Sequence, residues 1–233
     1  MGNAEGAGMG TDRHDERATG AVPAARLRHV YWLGGGSGAG KSTIARRLAE
    51  RHGWRLYPTD DVMAEHARRT TAGEAPLLHA FMAMDMDERW VDRSPETMLE
   101  TFHWFRGEAF GLIVEDLLRM PREVPVLVEG FRLLPHLVRP LLTVPGQAVW
   151  LLPTPEFRRA AFRNRAAPGE GFTARTSDPE RANRNLAARD DLFTERLHEE
   201  TARLGLPAVT VGLTMSEDDL VERVSEVLGL SVP

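Results

Sequence analysis

The sequence predicts a three-layer α/β/α domain on a five-stranded parallel sheet, with a helical insertion between the second and third strands and a lid after the fourth. Three observations predict it. Short apolar runs alternate with longer stretches of helical periodicity, the pattern of a sheet covered by helices. The runs are apolar throughout rather than alternating, as in strands buried on both faces. The length of 233 residues suits one domain of this class and leaves no room for several.

The elements follow in order. Residues 1–27 are poor in large apolar side chains and rich in Gly, Ala and charge, the composition of a disordered leader, so the domain is expected over 28–233. His29–Leu33 is the first strand and runs into glycines. Lys41–His52 has Ile44, Ala45, Leu48 and Ala49 at helical spacing, with Gly53 as the stop. Trp54–Pro58 is a short second strand. From Asp60 to about Met120 the chain reads as helical, broken near Gly73–Pro76 and restarted at Ser94-Pro95-Glu96-Thr97, where a capping serine precedes a proline and an acid. Its Met and aromatic residues read as core. Strands three to five are Pro125–Glu129, Gln147–Leu152 and Pro207–Val211. A helix starts at Thr154-Pro155-Glu156, and Ser216–Leu228 closes the chain as an amphipathic helix with acids in its first turn. Ala166–Pro179 carries two glycines, two prolines and no aliphatic run, the composition expected of a lid.

Composition excludes several functions. A net charge of -5 argues against binding nucleic acid through bulk positive charge. The absence of cysteine excludes disulfides, thiolate metal sites and cysteine nucleophiles. No apolar run reaches the roughly 18 residues of a membrane span. No secretory pattern opens the chain, so the cytoplasm is the expected compartment. The sequence leaves the oligomeric state open.

Of the 29 Lys and Arg residues, Lys41 is the one lysine. It sits in Gly35-Gly36-Ser37-Gly38-Ala39-Gly40-Lys41-Ser42, which fits G-x-x-x-x-G-K-[ST] with a strand before it and a helix after it. Glycines allow backbone N–H groups to converge on an anion, and the helix adds its positive dipole end. Lys41 is placed to reach the β- and γ-phosphates of ATP, and the Ser42 hydroxyl to take a position on Mg²⁺. Thr43 completes the cofactor-binding run from Gly35.

Two acidic positions accompany this loop. Glu129 ends the third strand, at the sheet edge where open α/β sheets bind ligands. Asp60 and Asp61 follow the second strand. Either is a candidate for handling an acceptor, and Asp61 is narrowly favoured. Arg132, just beyond Glu129, is a candidate for binding an anionic substrate.

The wording GGSGAGKST resembles the small-molecule and nucleoside kinases of the P-loop superfamily. The Glu129-Gly130 strand is similar to that of uridine kinase, phosphoribulokinase and 2-phosphoglycerate kinase. Thr59-Asp60-Asp61-Val62 is loosely similar to the Asp-x-Asp of shikimate and gluconate kinases, shifted by one residue. The resemblance implies the strand order 2-3-1-4-5 and a kinase moving the γ-phosphate of ATP to a hydroxyl of a small metabolite or nucleoside-like acceptor. It implies Mg²⁺ bound through Ser42 and Glu129, and an aspartate, Asp61 or Asp60, that takes the acceptor's proton. It also implies catalytic lid arginines at Arg163 and Arg165. Arg189-Asp190-Asp191 resembles, one residue short, the Arg-x-Asp-Asp region after the adenylate kinase lid, implying a nucleotide contact for Arg189. Two other classes remain open: a zeta-toxin-like kinase of a larger partner, and a nucleotide-hydrolysing regulator with no small acceptor. The Asn-Lys-x-Asp of Ras-like GTPases is ruled out, because Lys41 is the one lysine.

Overall fold

The computed structural model describes residues 24–165 and 171–230. Five strands form one parallel sheet: β1 (Val30–Gly35), β2 (Arg55–Pro58), β3 (Val126–Glu129), β4 (Ala148–Pro153) and β5 (Ala208–Val211). Their spatial order is β2-β3-β1-β4-β5, as the resemblance implies. Between them run α1 (Lys41–His52), then α2 (Met63–Arg69), α3 (Pro76–Ala83), α4 (Met86–Trp90), α5 (Pro95–Thr101) and α6 (Phe110–Arg119) in the insertion. After β3 come α7 (Pro135–Val138), α8 (Pro155–Arg165), the 26-residue α9 (Pro179–Leu204) and α10 (Glu217–Val227).

Successive strand residues divide between two cores, as a twofold side-chain period requires. Val30, Trp32, Val126, Val128, Ala148 and Trp150 pack with Phe105, Ile113, Leu117, Phe193 and Leu197, under α6 and α9. Leu33, Leu127, Val149, Leu151 and Val209 pack on the other face with Ile44, Leu48, Leu220 and Val224 of α1 and α10. Leu27 is wholly buried in the first core, so the packed domain extends back beyond the expected boundary at 28. The rest of the expected leader, 1–23, lies outside the described residues.

Four of the strands agree with the sequence reading to within one residue at each end. β1 is the exception worth its reason. It runs on to Gly35 because Gly34 and Gly35 pair with Trp150 and Leu151 of β4. The ladder continues as the Gly36 N–H donates to the Leu151 carbonyl at 3.0 Å. In the insertion, the helix starting after Ser94 forms as expected, with Ser94 Oγ accepting from the Thr97 N–H at 3.2 Å. The segment read as a lid lies partly outside the described residues. Its described end is docked: the Ser177 N–H donates to the Asp87 carboxylate at 2.7 Å, and Phe172 packs 5.1 Å from Trp90, ring centre to ring centre.

Candidate active site

The carboxyl ends of β1, β2 and β3 define the site. Pro58 and Leu33 both stand opposite Glu129 in the ladders. The Thr59 N–H donates to the Glu129 carbonyl at 2.8 Å, which carries the turn after β2 up against β3. Gly130 makes this approach feasible. Its φ is +150°, and a methyl there would lie 1.8 Å from the Thr59 hydroxyl.

The phosphate loop joins β1 to α1. Gly40 caps α1 in a left-handed conformation, φ +82°, with open space where a side chain would stand. No capping side chain and no acid occupies the first turn of this 12-residue helix. Its first N–H groups therefore keep the unsatisfied partial charge that favours an anion. Lys41 is 91% buried, and its Nζ donates to the Gly36 carbonyl across the loop at 2.8 Å. An ammonium held over an uncapped helix end fits the phosphates of a nucleotide.

Glu129 is buried beside Lys41 and Ser42, with Asp60 and Asp61 close enough to act on its charge. Burial pushes its carboxyl above the usual range. Lys41 and the Ser42 hydroxyl pull it down, and the two aspartates push it up. Asp60 is also raised, chiefly by desolvation, against the opposing pull of Lys41 and Arg132. Its side chain is open to solvent at the mouth of the site, yet protein surrounds it, so water solvates it from one side only. The Glu129 carboxylate and the Ser42 hydroxyl form an oxygen pair beside the ammonium, with the charges of Asp60 and Asp61 acting on it. That donor set fits a hard divalent cation such as Mg²⁺.

Lys41, Ser42, Glu129, Asp60 and Asp61 are thus brought together. Asp60 is under the influence of both Lys41 and Arg132. Arg132, the candidate for an anionic substrate, is enclosed by protein. It is 2% exposed, stacked 4.1 Å over the Trp104 ring, and donates to the carbonyls of Thr59 and Ala109, both at 3.3 Å. A guanidinium so enclosed holds the Thr59–Asp60 turn. Burial takes it down to about 10. Arg189 lies among Trp90, Phe102 and Phe105, and bonds Asp190 through Nε and Nη2. Arg163 and Arg165 stand in the last turn of α8, and their side chains are outside the described structure.

Two features escaped the sequence reading. Arg158 of α8 is 2% exposed, ion-paired with Asp191, and packs with Phe162 over Gly38 of the loop. Its spacing of four from Phe162 was the available signal. Behind Arg132, Nη2 donates to His66 Nδ1 at 3.1 Å. Because arginine only donates, His66 Nδ1 must accept, and its Nε2–H then donates to Asp116 at 2.8 Å. Tyr57 and Arg69 donate to the same carboxylate. Glu65, His66 and Asp116 cluster closely enough to suggest a metal site, but this bonding pattern uses both His66 nitrogens.

The chain matches no protein-family profile and no curated protein sequence. Several solved structures align with it. An uncharacterized protein from Eubacterium ventriosum ATCC 27560 aligns at 15% identity and a TM-score of 0.42, over 86% of this chain and 97% of its own. Deoxyadenosine kinase from M. mycoides aligns over 86% of this chain. The dATP-bound structure has 10% identity, a TM-score of 0.45 and 99% of its own length covered; the dCTP-bound structure has 11%, 0.43 and 98%. No helix among the described residues is long and apolar enough to cross a membrane.

Proposed function

We propose that this protein is an ATP-dependent phosphotransferase that moves the γ-phosphate to a hydroxyl of a small metabolite or nucleoside-like acceptor. One observation carries the reading. The phosphate loop with its single lysine, the buried Glu129 and the solvent-accessible Asp60 converge at the ends of three neighbouring strands. A structural loop would need neither a buried ammonium nor two desolvated carboxylates around it.

The residues divide the work. Backbone N–H groups between Gly36 and Ser42 bind the phosphates, and Lys41 neutralises charge that builds on the transferring group. Ser42 and Glu129 would hold Mg²⁺, which when bound supplies charge neutralisation and orients the phosphate chain. Asp60 is assigned the acceptor: it orients the hydroxyl and accepts its proton at a carboxylate oxygen. Little basicity is needed, because the transition state of phosphoryl transfer is loose and catalysis is mainly positioning and electrostatics. Arg132 fixes the turn that carries Asp60. Arg163 and Arg165 remain candidates for the transferring phosphoryl group by their place after β4.

The test is a screen of hydroxyl-bearing metabolites and nucleosides for acceptor-dependent ADP release with Mg²⁺ and ATP. Release that rises with one compound class and vanishes in Lys41→Ala supports the reading. ADP release that no acceptor stimulates would favour a regulator instead, and transfer to a macromolecule alone would favour the toxin-like class.

A further inference from the structure

We propose that the acceptor carries an oxyanion group, a carboxylate or a phosphate, bound between Arg89 and Arg93 beside His103. The inference rests on the kinase reading and adds the chemical class of its substrate.

The first observation is a contrast in pairing. Most arginines with partners meet acids: Arg47 with Asp218, Arg51 with Glu222, Arg196 with Glu100, Arg223 with Glu226. The chain has 34 acids for 29 basic residues, so partners are not scarce. Arg89, Arg93 and Arg132 are withdrawn from solvent to differing degrees, yet among the described residues none has a carboxylate within ion-pair distance. Arg89 donates to the carbonyls of Phe81 and Met82 at 3.0 and 2.9 Å. Arg93 donates to the carbonyls of Glu88 and Arg89 at 3.0 and 3.1 Å and to the Thr101 hydroxyl at 2.9 Å. Carbonyls fix a guanidinium in place without cancelling its charge.

The second observation is convergence. The charges that reach the buried His103 ring are those of Arg132, Arg89 and Arg93, all positive, and with burial they take the imidazole down to about 3. Arg189 adds to the same field, since its charge lowers Arg93. Asp190 offsets Arg189, but Arg89 and Arg93 both lie against the Phe81 ring, 4.9 and 5.8 Å from its centre, and that ring is 5.0 Å from His103, so two cations held by carbonyls face one spot that favours an anion.

The third observation is unpartnered donors. Among the described residues Arg132 Nε and Arg189 Nη1 are buried without a hydrogen-bond partner, on side chains 2% and 7% exposed. Unpaired buried N–H groups are costly unless a ligand meets them. The cluster is also on the acceptor side of the reaction. Arg132 is in contact with Trp104, whose ring meets His103 edge to face, and its charge reaches Asp60. Phe81 and Phe102 form apolar walls on His103. A small hydroxy acid or phosphorylated alcohol spans such a site, with the hydroxyl at Asp60 and the oxyanion among pre-set forks that bind carboxylate or phosphate in two-point fashion.

Calorimetry tests this with the phosphate loop filled by the ATP analogue AMP-PNP and Mg²⁺, at constant ionic strength. Inorganic phosphate, and acetate separately, are titrated into the wild type and the Arg89→Gln/Arg93→Gln double variant. The proposal expects saturable binding of at least one anion, weakened tenfold or more in the double variant, with AMP-PNP affinity within twofold of wild type. No saturable binding, or equal binding by both proteins, overturns it while leaving the kinase reading intact. If AMP-PNP itself fails to bind wild type, the kinase reading falls, and the double variant still isolates the arginine cluster. Should the double variant not fold, butanedione modification of wild type replaces it. Phosphate must slow modification of Arg89 and Arg93 severalfold but not of Arg159, and equal rates overturn the proposal.

Discussion

Gly130→Ala probes the joint between strands that the site depends on. The new methyl would lie 1.8 Å from Thr59 Oγ1 and 3.0 Å from Thr59 Cβ. Thr59 cannot step aside: it is fully buried, its N–H is tied to the Glu129 carbonyl at 2.8 Å, and its carbonyl accepts from Arg132 at 3.3 Å. Overpacking a tight core typically costs about 1–3 kcal/mol. An alanine at φ +150° adds backbone strain of about the same size. Together these reach about 2–6 kcal/mol, or a fall in Tm on the order of 5–20 °C for a domain of this length. Differential scanning calorimetry measures it, with Gly111→Ala as the control. Gly111 lies in α6 with nothing near its absent side chain, so alanine there should stabilise by about 0.5–1 kcal/mol. A Gly130→Ala protein melting within a degree of wild type would refute the claim that β2 and β3 are held at contact distance here.

Three further outcomes follow from the site. Lys41→Ala should lower turnover on the order of 10²-fold or more, since single electrostatic stabilisers commonly contribute that much, and near-normal turnover in the folded variant removes the assignment. Asp60→Asn should abolish transfer while leaving ATP affinity nearly intact, whereas Asp61→Asn should retain most activity; steady-state kinetics on both decides, and the reverse ranking would hand the role to Asp61. Glu129 has a raised folded-state pKa, so its contribution to stability is present below its ordinary value of 4.5 and is lost as pH rises through the raised one. Glu129→Gln should therefore be more stable than wild type at neutral pH, with the gain shrinking as pH falls through the raised value towards 4.5 and gone below it, and urea unfolding across pH would expose a flat or opposite trend.

The parts legible in the sequence were those encoded by fixed spacing or unbroken apolarity. The phosphate loop is a contiguous pattern whose chemistry depends on its own residues. Strands β1, β3 and β4 are buried on both faces, so their composition betrays them. The end of β1 was hidden because Gly34 and Gly35 look like turn residues, and only the ladder to β4 makes them strand. The insertion was harder. Its short helices stop where tertiary contacts dictate, as at α4, a five-residue helix started by the Asp85–Glu88 capping box. The enclosure of Arg132 was out of reach for a similar reason. It is assembled from Thr59, His66, Trp104 and Ala109, drawn from separate segments, and no local pattern announces it. Arg189 was named from the pattern of its sequence neighbours, whereas its neighbours in space are aromatic rings of the insertion that no local pattern discloses.

The lone lysine, buried with its Nζ on the Gly36 carbonyl, also makes the protein an unusual object for a chemist. Its side chains offer one primary amine, and that amine is in the site. Amine-coupled immobilisation or dye labelling through side chains must either fail or strike the nucleotide cradle, so surface attachment should go through an engineered cysteine in this cysteine-free chain. The same fact turns into a tool. Reductive methylation with ¹³C-formaldehyde would install a single side-chain NMR probe at the position where phosphate charge is sensed, with no other lysine to assign.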